Sequence, residues 1–139
     1  MSDLPYLEFL EPINYSDLNQ MAFQKFEDIL AWRKARDVNR LIYTFTSESV
    51  FARDYPLRDQ IRRSSISIMA NIAEGFGRHS NREFANFLNI ARGSAFEVQS
   101  HLYIALDLGY INESGFNEIY GSLDEICRML FALRKRLLA

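Results

Sequence analysis

Cysteine, histidine, proline and glycine are all scarce in this 139-residue chain. A single cysteine, Cys127, cannot close an intrachain disulfide, so a reducing compartment fits the sequence. Together with the only two histidines, His79 and His101, it is one ligand short of a structural zinc site. Neither histidine stands in the His-Glu-x-x-His or Glu-x-x-His spacing of zinc and di-iron bundles, so no metal and no cofactor is expected. No apolar run approaches the roughly 18–20 residues that cross a bilayer. The N-terminus also lacks the positive start and apolar core of a signal peptide, which leads to the expectation of a cytoplasmic protein with no membrane contact. No glycine-rich loop precedes a helical pattern; Gly75-Phe76-Gly77 follows one and reads as a stop signal rather than a phosphate cradle. Three prolines and six glycines leave room for long regular elements.

What is present is ordinary globular material: 48% apolar and 24% charged residues, with a formal net charge of −2. The charge is unevenly spread. Residues 1–20 carry Asp3, Glu8, Glu11 and Asp17 and no Lys or Arg, whereas the remainder carries all 16 basic residues against 14 acidic ones. The body is thus mildly basic, mostly through arginine, which permits nucleic-acid contact without requiring it. Pro5 and Pro12 interrupt the first stretch, so residues 1–24 read as an extension, partly extended or flexible, ahead of one domain over residues 25–139.

From about residue 26 the apolar residues recur with a helical period. Ala31, Ala35, Val38, Ile42 and Phe45 mark a first helix over about Phe26–Glu48, and a loop then runs to Tyr55-Pro56. Leu57, Ile61, Ile68 and Ile72 mark a second over about Pro56–Phe76, with Ile66, Ala70 and Ala73 as a second apolar face. Ser80-Asn81-Arg82-Glu83 has the capping-box pattern and opens a third helix, about Asn81–Leu108, striped by Phe84, Leu88, Ala91, Ala95, Val98, Leu102 and Ala105. Asn112 caps a fourth, about Glu113–Leu138, striped by Phe116, Ile119, Leu123, Ile126, Leu130, Leu133 and Leu137. Four long helices with short links predict an all-α, up-and-down antiparallel four-helix bundle.

No catalytic constellation accompanies this pattern. His79 reads as a solvated loop residue and His101 as a helix-surface residue. Arg92 and His101 have eight residues between them, too many for the Arg-to-His spacing of helical ribonuclease domains, and Cys127 reads as a small core residue. Asn71 and Glu74 share a helix face and form a structural polar motif with Arg92, which is expected to pair with Glu74 across two helices. Gly93, mid-helix at a cost of about 1 kcal/mol against alanine, is expected to admit a close helix contact.

Several of these segments resemble one bacterial family. They are Phe26-Glu27-Asp28-Ile29-Leu30-Ala31-Trp32-Arg33-Lys34-Ala35, Gln60-Ile61-Arg62-Arg63, Asn71-Ile72-Ala73-Glu74-Gly75, Phe87-Leu88-Asn89-Ile90-Ala91-Arg92-Gly93-Ser94 and Leu108-Gly109-Tyr110-Ile111. The family is that of the "four helix bundle" proteins, also called S23 or 23S ribosomal RNA intervening-sequence proteins, and the resemblance covers about residues 25–138. It implies an up-and-down bundle that assembles as a ring-like homopentamer. It is also related to the accessory protein of diversity-generating retroelements, where a basic surface meets nucleic acid beside a reverse transcriptase. Phe96-Glu97-Val98-Gln99 departs from the Glu-Leu-Glu-like run usual after Gly-Ser in relatives, and the acidic extension is a second departure.

These readings converge on a non-enzymatic, oligomeric bundle that binds RNA or DNA, or a ribonucleoprotein. Candidate contacts are Arg33, Lys34, Arg36 and Arg40 along the first helix, and a cluster of Arg62, Arg63, Arg78 and Arg82 around the second-to-third helix turn. Asp28, Asp37 and Asp59 are their alternative ion-pair partners. The alternative function is a scaffold or accessory subunit for a polymerase-type protein, suggested by surplus phenylalanines at 51, 76, 87, 96 and 131.

Overall fold

The computed structural model describes residues 23–139; the extension expected over residues 1–24 lies, up to residue 22, outside them. A 3-10 turn, Phe26–Asp28, is followed by α1 (Leu30–Thr46), α2 (Ser49–Arg53), α3 (Tyr55–Gly77), α4 (Asn81–Asp107) and α5 (Glu113–Leu137). Each long helix packs chiefly on its two neighbours, α1 on α3, α3 on α4, α4 on α5, and α5 back on α1. Ser64 bonds Glu97 while Ser67 bonds Ser94, so α3 and α4 run antiparallel, and the chain forms an all-α bundle of four long helices.

The striped positions account for the core. All seven α4 stripe residues are buried, as are Phe116, Ile119, Leu123, Ile126, Leu130 and Leu133 of α5. Cys127 is buried among them. The expected caps form: Ser80 accepts the Glu83 N–H, and Asn112 accepts the Gly115 N–H at 2.7 Å.

Four expectations differ from what is observed. The first helix begins at Leu30 rather than Phe26, because the Asp28 carboxylate accepts the N–H groups of Gln24 and Lys25 and Ile29 is extended and fully buried. The expected loop after α1 contains α2, whose Phe51 needs a buried place and finds it against Tyr110, ring centroids 4.9 Å apart. Ile66 and Ala70 face solvent, so α3 has one buried face rather than two. Gly75 does not end α3. It lies buried inside the helix, and the left-handed residue that breaks the chain is His79, at φ 56°.

Candidate nucleic-acid interface

The eight basic candidates do not converge. Arg62 on α3 and Arg78, which caps its C-terminus, are sixteen residues apart, about 24 Å at the helical rise, so they occupy opposite halves of the bundle instead of one cluster. Most are also engaged. The Lys34 ammonium is 2.7 Å from the Glu125 carboxylate and only 13% exposed, which makes it a clasp between α1 and α5. Arg62 donates from Nε to the buried Thr46 hydroxyl at 2.8 Å and from a terminal nitrogen to Ser47, and lies over the Tyr43 ring. It braces the end of α1 against α3. Arg33 donates to the Glu27 carbonyl at 2.8 Å, Arg36 lies over Trp32, and Arg40 is loosely paired with Asp37 at 3.8 Å. Arg78 pairs with Glu74 at 3.0 Å and covers the Phe87 ring. Arg63 and Arg82 are exposed and make no ion pair among the described residues. Of the expected acidic partners, Asp37 and Asp59 do pair, Asp59 with Arg58, while Asp28 serves as a backbone cap.

The polar motif is rearranged as well. Asn71 donates its amide to the carbonyl and hydroxyl of Ser67 in its own helix, at 2.8 and 2.9 Å. The bonds that cross to α4 come from the small residues, Ser94 to Ser67 and Ser64 to Glu97. Glu74 takes Arg78, so the expected Glu74–Arg92 pair does not form. Arg92 instead lies between two aromatic rings, its guanidinium carbon 5.3 Å from the Phe96 centroid and 5.1 Å from that of Phe131 on α5. Its Nε is buried without a hydrogen-bond partner. Gly93, expected at a close helix contact, is exposed, and an added Cβ there would meet nothing within 4 Å.

The Arg92 surroundings are a feature that the charge pattern alone does not reveal. Residues 84–96 of α4 and 126–139 at the end of the chain contain no Asp or Glu. The same stretches supply Arg92, Arg128, Arg134, Lys135 and Arg136, together with Phe96 and Phe131, which are 48% and 50% exposed. The legible signal was the Arg92–Phe96 spacing of four, which places both on one helix face. Its meeting with Phe131 needs the α4–α5 packing. Also between α4 and α5, the buried Gln99 amide donates to the Asp124 carboxylate at 2.9 Å.

His79 is exposed, as expected, whereas His101 is half-buried with Nε2 removed from solvent and unpartnered. Among the described residues no three His, Cys, Asp or Glu side chains are grouped to hold a metal ion. No helix there is long and apolar enough to cross a membrane.

Burial pushes the Cys127 thiol from its ordinary 9.0 up to about 11, with Asp124 adding to the rise and Arg92 and Arg128 opposing it. In the unfolded chain the thiol ionises first, so this group's contribution to stability is intact below about pH 9 and is lost as pH climbs towards about 11. Cys127 is expected to resist a thiol-alkylating reagent at pH 8 in the folded protein and to react promptly in denaturant. Equal rates in both states, followed by mass spectrometry, would contradict its burial.

The described residues form an all-α bundle with an arginine-and-aromatic seam between α4 and α5. The family model of the 23S rRNA-intervening sequence protein matches residues 27–132, from the 3-10 turn into the last turns of α5, and the chain belongs to that family. Among solved structures it is similar to a protein of unknown function from the S23 ribosomal protein family of Bacteroides thetaiotaomicron. The two are 27% identical with a TM-score of 0.70, over 76% of this chain and 96% of that one. No curated protein matches significantly.

Proposed function

We propose that this chain is a non-enzymatic, self-associating bundle that binds nucleic acid or a ribonucleoprotein through arginine side chains. The supporting observation is a set of exposed cations: Arg63, Arg82, Arg128 and Lys135 make no ion pair among the described residues. Repeated around a ring, such as the homopentamer that the family resemblance implies, a few free cations per chain add up to an extended positive field. A reducing, cytoplasmic setting goes with this reading and with a lone buried thiol.

A second reading, assembly without direct nucleic-acid contact, is favoured by the aliphatic outer face of α4. Ile90, Ile104 and Leu108 are exposed there, and Gly93 leaves its backbone open to close approach. Such a face suits a second copy or a polymerase-type partner.

Light scattering coupled to size-exclusion chromatography, with and without single-stranded RNA at low salt, separates the two. An oligomer near five chains that carries RNA, and loses it in the Arg63→Gln/Arg82→Gln variant without losing mass, is the expected result. An oligomer that ignores RNA would favour the scaffold. A monomer would contradict self-association.

A further inference from the structure

We propose that the outer seam between α4 and α5 is a base-stacking site for single-stranded nucleic acid, formed by Phe96 and Phe131 on either side of Arg92. This rests on the nucleic-acid reading above and adds to it a location and a strand state.

Three observations carry it. Phe96 and Phe131 each keep about half their surface in solvent, although they belong to different helices and meet over one guanidinium. That guanidinium is held by π-faces, and among the described residues no carboxylate pairs with it. The flanking segments, 84–96 and 126–139, are free of acid and add Arg128 and Lys135, both exposed. On α5, Asp124 accepts from Gln99 and Glu125 pairs with Lys34.

A surface of cations and open aromatic faces complements a ligand that is anionic along one edge and planar along the other. A single strand offers both, phosphates for Arg92 and its neighbours and unpaired bases for the rings. A duplex does not, because its bases are already stacked on one another and only their edges are presented. A second copy of this chain suits the site less well, since it would bury arginine charge; the aliphatic face of α4 is the better place for that contact.

The test uses the whole protein and a ten-nucleotide single-stranded RNA carrying 2-aminopurine. Binding should quench the probe's fluorescence, and a duplex of the same sequence should bind more weakly. Phe96→Leu and Phe131→Leu, which keep apolar bulk but remove the π-face, should each weaken single-strand affinity by about tenfold or more. The salt dependence should stay unchanged, because no phosphate contact is lost. Undiminished affinity in both variants would overturn the site while leaving the nucleic-acid reading intact, whereas wild-type protein that binds no RNA would overturn both. A fall in oligomer mass with affinity retained would assign the surface to contact between copies and also overturn the proposal. Should either variant lose its helical circular dichroism, the wild-type fluorescence decides, since an unquenched probe in a saturated complex excludes stacking.

Discussion

Gly75→Ala should lower the stability of the bundle by about 1–2 kcal/mol, whereas Gly93→Ala should raise it by about 0.5–1 kcal/mol. Both glycines lie within helices, and the sign differs because of what faces them. A Cβ on Gly75 would come within 2.6 Å of the Phe87 Cβ and 3.1 Å of the Phe84 ring. The Phe84 ring can turn aside, but the Phe87 Cβ is tied to the α4 backbone, so the two helices must separate. They share the most extensive packing in the bundle, between α3 and α4. That overpacking outweighs the helix propensity gained, which is already reduced two residues from the end of α3. At Gly93 nothing lies within 4 Å, so alanine adds only propensity. Urea midpoints for the two variants, taken at one protein concentration because self-association would shift both, check the pair. Equal signs would contradict the packing described.

Asp54→Ala should be of similar size, about 1–2 kcal/mol from the lost cap alone. One carboxylate oxygen of Asp54 accepts the Leu57 N–H and starts α3, while the other accepts the Tyr110 hydroxyl at 2.9 Å, from the turn between α4 and α5. Tyr110 in turn packs on Phe51 of α2. One side chain therefore ties α2 and the start of α3 to the α4–α5 turn at the same end of the bundle. Its hydrogen bond, followed by partial burial and its negative charge, holds the Tyr110 hydroxyl above the usual 10.0. Because that value is raised in the folded state, the contribution is complete below pH 10 and is lost as pH rises through the folded value. In Asp54→Ala the tyrosine should titrate at lower pH, seen by ultraviolet absorbance. Asp54→Asn should keep most of the cap and lose less stability. If Asp54→Ala proved as stable as wild type, the corner would not be held in this way.

The difference between what the sequence reveals and what it hides has a physical cause. Period and capping are local properties, so the stripes of α4 and α5 and the caps at Ser80 and Asn112 are readable residue by residue. Whether a glycine ends a helix or admits a neighbour is not local; Gly75 and Gly93 look alike until α4 is in place. Arginine patches suffer similarly. Arg62 and Arg63 adjoin Arg78 and Arg82 only in a reading that neglects the length of α3. Lys34 and Arg62 look like surface charge until Glu125 and Thr46 are brought to them from other helices. Phe96 and Phe131 were recognisable as surplus to the core, and Arg92 as a same-face neighbour of Phe96, but the meeting of Arg92 with Phe131 was not, because it depends on α4–α5 register.

The most direct measurement is the affinity of the full-length protein for a short single-stranded RNA, titrated across a range of salt. Binding through free arginines should give a logarithmic affinity that falls linearly with the logarithm of salt, with a slope of about −0.7 for each phosphate neutralised. Removing Arg63 and Arg82 should make that slope shallower by about 1.4 for each chain engaged. RNA binding that ignores salt, or no binding even at low salt, would contradict an arginine-borne nucleic-acid surface.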